Sequence, residues 1–122
     1  MLFRSANELG RYILGKLKEL EAHPLVGNVR GKGLIFGIEI VADKVTKEPA
    51  LDDQVDKIIR ICRKKGLIIG KNGNTVDGSN NIITIGPPLS STYDDAQFII
   101  ETMKSAFEQV KQSHFKADYT NE

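Results

Sequence analysis

The chain has 122 residues and one cysteine, Cys62. A single thiol excludes a disulfide framework and suits a reducing compartment, so a cytoplasmic setting is expected. Formal net charge is +1. No broad basic field is present to draw the chain to nucleic acid or to a membrane surface, and neither is an expected partner. No apolar run reaches the roughly 20 residues of a membrane helix. The start M-L-F-R-S-A-N-E-L lacks the layout of a signal peptide. The two histidines, His23 and His114, stand at no metal-ligand spacing to Cys62. There is no internal repeat and no low-complexity segment. What is left is a chain of single-domain length, long enough to bury a core without staples.

The apolar pattern supplies most of the elements. Leu2, Ala6, Leu9, Ile13, Leu17 and Leu20 recur at helical steps, so a helix is predicted from Leu2 to Glu21, ended by His23-Pro24. It begins almost at residue 1 with no capping segment in view, as a natural domain or a piece of a longer protein would. Val29-Arg30-Gly31-Lys32-Gly33 leads into a strand from Leu34 to Val41. Leu34, Phe36, Ile38 and Ile40 share one face; Ile35, Gly37, Glu39 and Val41 share the other. Leu51 to Lys65 reads as a second helix on a stripe of Leu51, Val55, Ile58, Ile59 and Cys62, with Gly66 as its stop. Lys65 to Leu89 reads as strand, polar loop, strand and stop, with Leu67-Ile68-Ile69 and Ile82-Ile83-Thr84-Ile85 as the strands. A third helix follows Pro88, capped by Ser91 with Asp94 or by Thr92 with Asp95. Residues 112–122 carry little pattern and read as a disordered tail. The layout is α+β: a small, largely antiparallel sheet with helices on one face.

Few motifs survive their spacing. Gly31-Lys32-Gly33 with Gly37 is G-x-G-x-x-x-G placed before a strand, whereas a dinucleotide loop is G-x-G-x-x-G placed after one. Gly70-Lys71-Asn72-Gly73 matches the G-x-x-G loop of a KH-like RNA-binding module, but that loop joins two helices and here a β-branched run precedes it. Cys62 falls on an apolar stripe and reads as core, and Glu39 as either a paired, buried carboxylate or an exposed one.

V-R-G-K-G-L-I-F-G-I-E-I-V-A-D-K-V-T-K-E-P resembles the start of the small C-terminal domain of class III pyridoxal-phosphate aminotransferases, the ω-amino-acid:pyruvate and ornithine type. G-L-I-I-G-K-N-G-N-T-V and N-N-I-I-T-I-G-P-P-L resemble the end of the same domain. The resemblance covers about residues 5 to 110 and implies the small-domain fold of fold-type I transferases over residues 1–111. It implies that the parent enzyme transfers an amino group from an amine or ω-amino acid to a keto acid on pyridoxal phosphate. It also implies that the Schiff-base lysine and the phosphate cradle lie in a large domain outside this chain. The chain alone is then expected to bind no cofactor and to be inactive, with the large domain or a second copy of itself as partner; a non-catalytic remnant is the other reading. Lys71 and Asn72 are the expected substrate-side contacts. Thr84 stands before I-G-P-P-L, where ornithine-type members carry an arginine that grips a carboxylate. Arg30 is the expected docking residue for the large domain.

Overall fold

The computed structural model describes residues 5–71, 81–88 and 90–120, with side chains described as far as residue 110. Leu2, Asn72 and Gly73 therefore lie outside the described residues. Helix α1 spans Ala6–Leu17 and tightens into a 3-10 turn over Lys18–Ala22. A cap precedes it after all. Ser5 has extended backbone, and its Oγ accepts from the Glu8 N–H at 3.2 Å, so S-A-N-E closes the first turn. Leu9, Ile13, Leu17 and Leu20 are its buried stripe.

Strand β1 spans Val26–Lys32 and β2 spans Ile35–Asp43. They form an antiparallel hairpin across the two-residue turn Gly33–Leu34, with Lys32 opposite Ile35. Gly33 has φ +61°, the left-handed value that the first position of a II′ turn requires. β1 is a full strand, where the sequence suggested only a lead-in. Strand β3, Glu48–Pro49, pairs β2 at its far end.

Helix α2 spans Asp52–Lys64. Val55, Ile58, Ile59 and Cys62 are buried as the spacing predicts, but Leu51 is 70% exposed. Leu51 is the N-cap, with extended backbone (φ −70°, ψ 150°), so helical spacing does not carry back to it. Past the other end, Gly66 takes φ +96°. Leu67 N–H then bonds Cys62 O at 2.9 Å and Gly66 N–H bonds Arg63 O at 3.0 Å, a Schellman closure.

Leu67 to Ile69 is extended, but the ladder of β4 begins only at Gly70–Lys71. Strand β5 is Ile82–Ile85, and the strand order is β1-β2-β5-β4, all antiparallel. Asn81 is buried and extends the β2–β5 ladder: Ile40 N–H donates to its carbonyl at 2.7 Å, and its Nδ2 donates to Ile40 O at 3.0 Å. Helix α3 spans Tyr93–Thr120. Of the two candidate caps the structure uses Thr92 with Asp95, which bond each other's backbone reciprocally at 3.2 and 2.8 Å. Its backbone is helical through Thr120, so it takes in most of the segment read as a tail.

The core lies between the helices and one face of the sheet. Phe36, Ile38, Ile40 and Ile83 from the strands meet Ile13, Ile58, Met103 and Phe107 from the helices, all 1% exposed or less. Cys62 Sγ donates to Met103 Sδ at 3.6 Å where α2 meets α3. Burial pushes the thiol up to about 11. This is the α+β arrangement the sequence predicts.

Candidate functional site

Because side chains alternate along a strand, burying one face of the sheet frees the other. Register fixes what shares that open face. Arg30 is opposite Gly37, Gly37 opposite Thr84, and Thr84 opposite Gly70. These four residues form one row across β1, β2, β5 and β4, at about 4.8 Å per strand. A parallel row is Asn28, Glu39 and Ile82. The central row has little side-chain bulk: two of its members are glycines, and it runs as a trough between Ile82 and the 71% exposed Ile35. A Cβ at Gly37 would stand 3.3 Å from Ile82 Cγ2, so the trough is narrow. Glu39 is half-buried, and its Oε1 lies against the backbone of Gly27.

The structure brings two expected site residues together and separates a third. Thr84 and Arg30 share the open face, two strands apart. Lys71 is opposite Ile83 and so belongs to the helix side. There its ammonium pairs with Asp56 at 2.9 Å and Asp52 at 3.9 Å. The hydrogen bond to Asp56 raises the Lys71 pKa first; desolvation opposes it, and the charges of Asp56, Asp52 and Asp53 raise it further. A substrate carboxylate would have to compete with Asp56 for this cation. Gly70 and Lys71 are in a strand, not in a loop joining two helices, so the setting that a KH-type G-x-x-G needs is not the one found here.

Pyridoxal phosphate needs an amine that can lose its proton, an acid for the ring nitrogen and donors for the phosphate. Lys71 does not fit the first role, since its carboxylate partners hold it in the charged form. Two cavities, of about 250 and 310 Å³, are lined by Asn7, Gly10, Arg11, Leu14, Gly31 and Gly33 and by a mainly apolar set from Leu67 to Ile99; neither lining includes a lysine. Sequence reasoning missed the first of these. Its signal was the pairing of Gly10 with Gly31 and Gly33, which only the fold brings together.

The aminotransferase class-III family model matches residues 1–107. The chain belongs to the class III aminotransferases. An uncharacterized aminotransferase, YhxA, of Bacillus subtilis is 50% identical over 109 residues, 89% of this chain and 24% of that protein. A taurine–pyruvate aminotransferase of Bilophila wadsworthia is 38% identical over 112 residues, 91% of this chain and 25% of its own length. The crystal structure of a Bacillus anthracis aminotransferase superposes with a TM-score of 0.80 at 50% identity, covering 87% of this chain and 24% of that one. The chain thus spans about a quarter of the length of the relatives it matches.

Proposed function

We propose that this chain serves as the small domain that closes over the substrate of a pyridoxal-phosphate aminotransferase, with the cofactor held by a large domain. The observation that carries this reading is the open sheet face. A sheet needs both faces dealt with, and here the helices cover only one. The other presents exposed Ile35 and Ile68, half-buried Ile82 and the glycine trough to a partner. Arg30 stands at one end of the row and docks the large domain. Thr84 stands mid-row and faces the substrate; Asn72, outside the described residues, is the second contact by sequence alone. Lys71 reaches substrate only by exchanging its bond to Asp56. Pyridoxal phosphate, when bound in the parent enzyme, supplies the electron sink for amino transfer. This chain's part is to position, to enclose and to exclude water.

The substrate class follows from position 84. Threonine offers a hydroxyl but no guanidinium fork, so an α-carboxylate is not gripped there in the bidentate manner. An amine or ω-amino acid donor fits this better, and the carboxylate of a keto acid acceptor is then held elsewhere in the parent enzyme. The taurine–pyruvate relative, whose printed donor has no α-carboxylate, is in line with it.

The test is a pyridoxal-phosphate titration of the 122-residue chain, alone and mixed with the large domain of a relative. The chain alone is expected to give no saturable absorption band near 400–430 nm (a roughly placed window, set by the chemistry of a protonated Schiff base). A saturable band in the chain alone, discharged by adding an amine such as β-alanine, would overturn the reading.

A further inference from the structure

The rim of β1 that faces away from β2 carries backbone groups the ladder does not use. Counting back from the turn pair Lys32–Ile35, residues 31 and 29 point outward, and at the bulge between Val26 and Asn28 the Gly27 carbonyl is also off the ladder. At Val29 two side chains meet this need. Val29 N–H donates to Glu21 Oε2 at 2.8 Å, and Lys18 Nζ donates to Val29 O at 3.0 Å. Lys18 and Glu21 are themselves 3.7 Å apart, so one edge residue has recruited a carboxylate and a cation together. At Gly27 the carbonyl accepts from Lys47 Nζ at 2.7 Å.

Gly31 is the next outward position, and it lines the cavity of about 250 Å³ between α1 and the hairpin. Asn7, Arg11, Leu14 and Lys18 follow one another at steps of four, three and four, so they fall on one stripe of α1. Arg11 lies two turns before Lys18 on that stripe and lines the same cavity as Gly31. The cation is supplied and the carboxylate is not. Among the described residues no acid pairs with Arg11, and no side chain takes the Gly31 N–H. The walls are close and fixed. A Cβ on Gly10 would stand 2.2 Å from Gly33 O, so α1 and the hairpin touch backbone to backbone beside the cavity.

We propose that this cavity binds a carboxylate, which accepts from Gly31 N–H and pairs with the Arg11 guanidinium, repeating what Glu21 does beside Val29 and Lys18. The carboxylate belongs to a free small acid or to an acidic side chain of another polypeptide. The site is separate from the sheet's open face, because the outward rim of β1 lies in the plane of the sheet.

The test is by NMR on the ¹⁵N-labelled chain, following the Gly31 and Gly33 amides. Acetate is titrated at constant ionic strength against chloride, and a blocked tripeptide, acetyl-Ala-Glu-Ala-amide, is titrated in parallel. Saturable shifts at both glycines are expected, with at least a tenfold rise in the dissociation constant for Arg11→Gln, the loss of about one charge-assisted pair. Arg11 is exposed, so the variant is expected to fold. Tripeptide binding tenfold or more tighter than acetate assigns the carboxylate to a polypeptide side chain; equal or weaker binding assigns it to a free acid. No saturable shift with either probe, shifts matched by chloride, or shifts unchanged in Arg11→Gln would each overturn the proposal.

Discussion

Ile35 and Phe36 are adjacent in β2, yet one is 71% exposed and the other 1%. The difference is that between the two faces of the sheet. The inner face is held mainly by packing: no charged side chain is among the buried residues described there, and the Lys71–Asp56 pair lies at its margin. The outer face is held open by small and polar groups, Gly37, Gly70 and Thr84, with Arg30 and Glu39 at its margin. Stability should therefore be read from one face and association from the other.

The largest expected effect is on the inner face. Phe36→Ala is expected to cost about 3–5 kcal/mol, the toll of emptying a fully buried aromatic site, read as a lower urea midpoint. A loss below about 1 kcal/mol would mean that the two faces differ less than burial implies.

The next test breaks the layer that makes the inner face. Gly→Ala inside a helix ordinarily stabilises by up to about 1 kcal/mol. At Gly10 the added methyl would meet Gly33 O at 2.2 Å, which belongs to backbone and yields poorly. Gly10→Ala is accordingly expected to destabilise by roughly 1–3 kcal/mol, the range for overpacking. Stabilisation in thermal unfolding would show that α1 does not touch the hairpin as described.

On the outer face, Ile35→Thr is expected to move stability by no more than about 0.5 kcal/mol, as surface changes do, and Gly37→Val, whose Cβ would stand 3.3 Å from Ile82 Cγ2, by about 1 kcal/mol. They are expected instead to alter self-association. The chain alone is expected to dimerise through the uncovered face; light scattering should show less dimer in both variants. A wild-type chain that stays monomeric at high concentration would count against this.

The smallest expected effect concerns the strap that holds β4 to α2. The Lys71 pKa is raised in the folded state, chiefly by Asp56. A raised pKa contributes stability that is complete below the unfolded value of 10.5 and fades as pH climbs through the folded value. Asp56→Asn should lower the neutral midpoint slightly and flatten this alkaline decline, so that variant and parent chain converge at high pH, which unfolding curves from pH 7 to 12 would reveal (a range set around the lysine value).

Much of the inner face was legible, because it is built on period. The stripe of α2 and the inward set of β2 could be counted off the chain, as could that of α3, where Ala96, Ile99, Ile100, Met103, Phe107 and Val110 recur at helical steps and are all buried. Period misled at Leu51, which lies one helical turn before Val55 but is already non-helical. β1 was harder to see. V-G-N-V-R-G-K offers two apolar residues and two glycines, and its outer edge is bonded by the side chains of Lys18, Glu21 and Lys47. Its glycines have non-local reasons. Gly31 leaves room for Phe36, whose Cδ1 would stand 2.6 Å from an added Cβ. On the candidate site, Thr84 and Arg30 were named from resemblance, but that a glycine separates them in one row is a matter of register. Lys71 was read as a solvated or substrate-facing cation because nothing local to it points to α2; Asp52 and Asp56 are fifteen residues or more upstream.

The contact between Cys62 and Met103 has a use beyond packing. Both sulfurs are wholly shielded, and the thiol is kept protonated at neutral pH. A thiol reagent or peroxide can reach them only while α2 and α3 part. The rate at which Cys62 is alkylated is then a clock for that parting, with the native thiol as its only label. Capture of the large domain need not touch either sulfur, so a slower clock in the complex would report that closing the sheet's far face steadies the helices behind it.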